Sequence, residues 1–166
     1  MSPTRREMLE AGWKVGSGLL VAAAGWTSFE ALKPLADVSG GGLLPLLPPE
    51  AYPEGSATFV REGRFFVTRA KGELFAVSQK CPHLGCAVPF CEASGRFECP
   101  CHGSVYNLAG EWISGPAPRG MDKHPLQIAD GRVLVNTALL EQGAPLGSRQ
   151  YDTESRGGSC APASEG

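Results

Sequence analysis

CPHLGC at residues 81–86 is followed by CPCHGS at residues 99–104. These two segments hold four of the chain's six cysteines and two of its three histidines. The first arm is Cys81-x-His83-x-x-Cys86 and the second is Cys99-x-Cys101-His102. Each can offer one thiolate and one imidazole to a metal, and each then has a cysteine left over, Cys86 or Cys101. Whether the leftover cysteines crosslink depends on the compartment, because disulfides persist only where the surroundings are oxidising.

The N-terminus speaks to compartment. Arg5 and Arg6 in TRREML precede an apolar, Gly/Ala-rich stretch from about Ala11 to Phe29, broken by Lys14. TRREML is similar to a twin-arginine export signal, with Met8 where Phe is commoner. A bilayer core needs about 20 predominantly apolar residues, so a transmembrane anchor is expected over 11–32, with Trp13 and Trp26 at its interfaces. A cleaved signal peptide ending near Ala22-Ala23-Ala24 is the alternative. The arginines would keep residues 1–10 in the cytoplasm and put the rest on the periplasmic side of a bacterial inner membrane, as a single-pass protein in contact with lipid. There, metal ligation and a disulfide can coexist.

Outward from the two arms, the chain reads as a β domain between flexible segments. Residues 33–50 contain Gly40-Gly41-Gly42 and then a proline-rich lead-in, which reads as a hinge. Over 51–137, short apolar runs alternate with turn pairs such as Lys71-Gly72 and Asp130-Gly131. Strands are predicted at 57–60, 64–68, 73–77, 95–99, 104–108, 111–114, 125–129 and 132–136, giving an all-β antiparallel sandwich or barrel. Residues 138–166 lose that character and are expected to be a flexible or partner-bound tail, with Cys160 most simply a free thiol and a pair with Cys91 the lesser alternative. Lys+Arg 15 against Asp+Glu 17, a net charge of -2, argues against a nucleic-acid partner. His124 reads as an ordinary surface histidine.

A tetrahedral zinc with Cys₂His₂ ligands would use the same donors. It would leave the two spare cysteines, and the Gly and Pro residues around both arms, without a purpose. A [2Fe–2S] cluster accounts for the mixed donor set, with thiolates on one iron and imidazoles on the other. Pro82, Gly85, Pro100 and Gly103 permit tight loops whose N–H groups face the cluster sulfurs.

With C-x-H-x-G-C and C-P-C-H-G-S in place, the chain closely resembles the Rieske iron–sulfur protein family from about Tyr52 to Thr137. Gly115-Pro116-Ala117-Pro118 looks like that family's proline loop. The resemblance implies that Cys81 and Cys99 bind one iron and His83 and His102 the other. It also implies a disulfide between Cys86 and Cys101. Ser104 and Tyr106 fall where such proteins place hydroxyl donors to the cluster.

The function implied is that of the iron–sulfur subunit of a quinol:cytochrome c oxidoreductase, inactive alone, with His83 and His102 as the catalytic pair. An imidazole that ligates iron through one nitrogen keeps the other for a proton. Leu84 and Pro116 would form an apolar rim that docks on a cytochrome b subunit, and a c-type cytochrome would take the electron. The alternative is an electron-transfer subunit of another exported oxidoreductase such as arsenite oxidase, which touches no quinol. A soluble ferredoxin conflicts with the anchor, and a zinc module would be colourless. Cys91 has no role in this scheme.

Overall fold

The computed structural model describes residues 3–32, 42–151 and 154–160. The chain divides into two units, Met1–Val38 and Ser39–Gly166.

The first unit contains one helix, α1 (Arg5–Leu32). Thr4 and Glu7 form a reciprocal cap: the Thr4 N–H reaches the Glu7 carboxylate at 2.8 Å and the Glu7 N–H reaches the Thr4 hydroxyl at 3.4 Å. The helix buries little, with Trp13 77%, Leu20 73% and Trp26 65% exposed. The expected membrane anchor is corrected here: no helix among the described residues is long and apolar enough to cross a membrane. Lys14, Ser17, Thr27 and Glu30, with Gly12, Gly16, Gly18 and Gly25, dilute its hydropathy.

The second unit is built from antiparallel strands. They are β1 (Leu43–Pro45), β2 (Ala57–Val60), β3 (Phe65–Ala70), β4 (Glu73–Ser78), β5 (Phe90–Cys91), β6 (Arg96–Glu98), β7 (Val105–Tyr106), β8 (Trp112–Ser114), β9 (Lys123–His124), β10 (Leu126–Ala129) and β11 (Arg132–Asn136). Three sheets result, with orders β1-β11-β10, β2-β3-β4-β9 and β5-β6-β7-β8.

The middle sheet separates two cores. Along β3 the side chains alternate, so Phe65 and Val67 join Tyr52, Val60, Val133 and Val135 in one core. Phe66, between them, joins Phe97, Tyr106 and Met121 in the other. On β4, Ala76 and Val77 divide in the same way. Cys81 and Cys99 belong to the second core, so that core carries the two loops that begin at these cysteines.

The eight predicted strands are present with small boundary shifts, and β1, β5 and β9 are additional. The last two span two residues each, too short to show alternation. β1 corrects the hinge expected over 33–50. Residues 33–41 lie outside the described residues, and Leu43 onward pairs with β11, Leu43 opposite Asn136. Leu44 and Leu46 pack on the first core, and the gain from burying them draws this segment into the domain.

The flexible tail expected over 138–166 is likewise corrected for its described residues, 138–151 and 154–160. Glu141 exchanges backbone hydrogen bonds with Lys123, and the Gln150 and Tyr151 N–H groups donate to the Glu111 carboxylate, each at 2.9 Å. Cys160 is not a free thiol but forms a disulfide with Cys91. His124 is half-buried, its Nδ1–H donating to the Leu139 carbonyl at 2.8 Å and its ring 5.3 Å from that of Phe65.

Candidate metal centre

Two loops with one backbone pattern build the site. In the first, after β4, the Cys81 N–H donates to the Cys86 carbonyl and the Gly85 N–H to the Cys81 carbonyl, at 2.8 and 2.9 Å. In the second, between β6 and β7, Cys99 N–H reaches the Ser104 carbonyl and Gly103 N–H the Cys99 carbonyl, at 2.8 and 3.0 Å. The spacing of partners is the same in both. Gly85 and Gly103 stand at the matching position with φ of 81° and 71°, a region that side-chain-bearing residues avoid.

The donors are sorted by depth. Cys81 and Cys99 are each 2% exposed and are the free cysteines of the chain. His83 is half-buried and His102 exposed, their rings 4.9 Å apart between centroids and edge-to-face. Cys86 and Cys101 form a disulfide that joins one loop to the other. The Cys99 sulfur lies within 4.8 Å of both disulfide sulfurs.

Two hydroxyl groups complete the surroundings. Tyr106, fully buried on β7, places its hydroxyl 3.2 Å from the Cys81 sulfur. Burial and then the hydrogen bond to Cys81 hold that phenol strongly in its protonated form, so facing a thiolate it donates. Ser104, also fully buried, accepts the Ala117 N–H at 3.1 Å, leaving its own proton to give elsewhere. Burial pushes the Cys99 thiol up, against the Cys101 and His102 N–H groups that draw it down.

A third loop, Gly115–Pro118, closes over the second. A Cβ at Gly115 would lie 2.5 Å from the Ser104 Cα and 2.9 Å from the Gly103 carbonyl. Pro116 is exposed on this loop, and Leu84 on the first is 69% exposed. All the residues singled out in the two arms, with Tyr106 and Pro116, thus come to one end of the domain.

The donor set fits an iron–sulfur cluster. Two sulfur donors lie inside and two imidazole donors outward, a segregation that suits two metal ions at different depths better than one tetrahedral ion. A buried thiol pushed toward its neutral form also calls for a strongly charged partner to ionise it.

Residues 43–127 match the Rieske [2Fe-2S] domain. The chain belongs to the Rieske family. Its cofactor is accordingly one [2Fe–2S] cluster. Among curated proteins, the chain is 37% identical over 93 residues to the cytochrome b6-f complex iron-sulfur subunit of Chlorobaculum tepidum, covering 55% of this chain and 51% of that one. It is 34% identical over 107 residues to the chloroplastic subunit 1 of Nicotiana tabacum, covering 61% of this chain and 47% of that protein. This Rieske chain therefore aligns with about half the length of such relatives. Among solved structures, it is similar to the cyanobacterial plasma membrane Rieske protein of Synechocystis PCC 6803, with a TM-score of 0.40, 29% identity and coverage of 61% and 92%. A hyperthermophilic respiratory Complex III chain gives a TM-score of 0.46 at 23% identity, with coverage of 72% and 98%.

Two features of this Rieske domain escaped sequence reasoning. One is the Arg119–Asp122 ion pair, which borders a cavity of about 390 Å³ together with Pro82, His83, Leu84 and Leu140. No local motif announces it. The other is the Cys91–Cys160 disulfide, which the sequence offered only as the lesser alternative to a free thiol. Its signal was parity: with the other four cysteines assigned, the remaining two pair most economically with each other.

Proposed function

We propose that this chain is the electron-transfer subunit of a membrane-bound quinol:cytochrome c-type oxidoreductase. It takes one electron and one proton from quinol and passes the electron to a c-type cytochrome. The observation that carries the proposal is the outward pair His83 and His102, rings 4.9 Å apart, above two buried thiols. The similarity to cytochrome b6-f complex iron-sulfur subunits supports the same reading.

When bound, the cluster supplies a one-electron acceptor. Cys81 and Cys99 would hold its inner iron, His83 and His102 its outer one. Each histidine then has one ring nitrogen committed and one free at the surface, where a quinol hydroxyl can hydrogen-bond and leave its proton. Tyr106 donates toward the Cys81 sulfur, and Ser104 is placed to donate within the same pocket, which stabilises added negative charge there. The Cys86–Cys101 disulfide keeps the two loops in register. Leu84 and Pro116, both exposed, offer an apolar rim to a cytochrome b subunit.

Arg5 and Arg6, with two disulfides in a short chain, support export to the outer face of a bacterial cytoplasmic membrane.

A redox titration of the cluster-loaded chain across pH tests this. A high potential that falls as pH rises is expected for electron and proton uptake at one site. A low potential independent of pH overturns it.

A further inference from the structure

Behind the second metal-binding loop lies a buried carboxylate that electron transfer does not use. Glu98, 4% exposed, is the last residue of β6 and immediately precedes Cys99. Among the described residues, three donors converge on it. The Ser94 hydroxyl reaches Oε1 at 2.6 Å, and the Ser159 hydroxyl and Cys160 N–H reach Oε2 at 2.6 and 2.7 Å. Two of these belong to the C-terminal segment, more than thirty residues beyond the stretch that matches the family.

The same segment is fastened at neighbouring points. Cys160 is disulfide-bonded to Cys91, which pairs with Arg96 across the β5–β6 hairpin. The Arg156 N–H donates to the Ser94 carbonyl at 3.0 Å, inside that hairpin's turn. A Cβ at Gly95 would sit 2.8 Å from the Arg156 side chain, so the arginine lies directly on the turn. Residues 155–160 thus form a strap across the hairpin that delivers Cys99.

We propose that this strap positions the cluster's inner cysteine: Glu98, Ser159 and the Cys91–Cys160 disulfide together fix the end of β6 and hence the direction of Cys99. Unsatisfied buried carboxylates are costly, so losing the strap's donors forces Glu98 toward water. Because Cys99 is the next residue, that movement is transmitted to the loop without any intervening contact. The Cys99 carbonyl accepts the Gly103 N–H, a hydrogen bond of the loop itself, which shares the displacement. The inference rests on Cys99 being an iron ligand, as proposed above.

The test uses the full chain with its cluster. Three variants loosen the strap: Cys91→Ser with Cys160→Ser, Glu98→Gln, and the milder Ser159→Ala. Glu111→Gln serves as comparison, since it frees the Gln150–Tyr151 anchor without touching Glu98. Each is followed by the electron paramagnetic resonance spectrum of the reduced cluster, by thermal melting, and by the rate at which an iron chelator bleaches it. Strap variants should broaden or shift the spectrum and bleach about tenfold faster, the scale of one lost hydrogen bond to a buried charge. Glu111→Gln should lower the melting temperature and leave the spectrum alone. If Ser159→Ala and the double serine variant keep the native spectrum and bleaching rate, the inference is overturned. It is equally overturned if Glu111→Gln changes the spectrum as they do, for then the strap acts only through overall stability. A wild-type chain that carries no [2Fe–2S] spectrum would instead remove the ligand assignment itself.

Discussion

The Tyr106 hydroxyl stands 3.2 Å from the Cys81 sulfur, both in a core that excludes water. A donor so placed stabilises negative charge on the sulfur more when the cluster is reduced than when it is oxidised. Tyr106→Phe keeps the ring and removes the donor. A hydrogen bond to a charged group is worth about 1.5 kcal/mol, or roughly 60 mV for a one-electron couple. The reduction potential should fall by about that amount, with the protein still folded and loaded. An unchanged potential in a redox titration would show that the hydroxyl does not tune the centre.

The disulfide between Cys86 and Cys101 closes a loop with a sequence separation of 15. Closing a loop of that size stabilises a fold by about 3 kcal/mol, and here the ends lie in the two Cys/His loops proposed to hold the cluster. Replacing both cysteines with serine should lower the melting temperature and shorten cluster lifetime together. Iron content after gel filtration, compared with far-ultraviolet dichroism, separates loss of cluster from loss of fold. Full iron retention would mean the loops hold without the link.

Glu111 gives the domain an acid-sensitive anchor. Burial raises its pKa, but the Gln150 and Tyr151 N–H groups, the Asn107 amide and the nearby Lys123 charge outweigh this and hold the carboxyl below its ordinary range. Lys123 in turn faces Glu141 and Glu73, and burial draws its own pKa down. A carboxyl with a depressed folded pKa stabilises above its unfolded value, about 4.3, and that contribution fades as pH falls through the folded value. Amide exchange at residues 149–151 should therefore quicken below about pH 4. In Glu111→Gln it should be fast already at neutral pH and show no acid step. Retained protection in that variant would assign the anchor to other contacts.

Gly115 has φ of 97° and backbone atoms of Gly103 and Ser104 within 3 Å of where a Cβ would be. Gly115→Ala must push the proline loop off the second cluster loop, at a cost of about 1–3 kcal/mol in strain alone. Thermal melting should show the loss, and the exposed His102 side should become more open to chelator. A variant as stable as the native protein would mean the loops move apart freely.

Much of the site was legible because its chemistry is local. Cys81 and His83 are two residues apart, as are Cys99 and Cys101, so spacing alone announces the arms. The hairpins at Lys71-Gly72 and Asp130-Gly131 were legible for a similar reason: both residues of each pair adopt positive φ, which those pairs tolerate. What stayed hidden is held by partners far along the chain. β1 forms because Leu44 finds Val135 on β11, and Cys91 finds Cys160 at a separation of 69. Neither carries a local period or a turn signal. The N-terminal stretch misled for a third reason: apolar runs diluted by glycine, serine and one lysine still make a helix, since helix formation asks less of hydropathy than crossing a bilayer does.

Phe65 and Phe66 are neighbours in the chain, yet they look into different rooms. With β3 as their common wall, neither room can be refurnished alone. Over generations, substitutions on β3 and β4 must suit the core around Tyr106 and the core around Tyr52 at once, while β10, with Ile128 largely exposed, answers to one. Sequence drift in related chains should therefore gather on the outer strands and spare the shared wall.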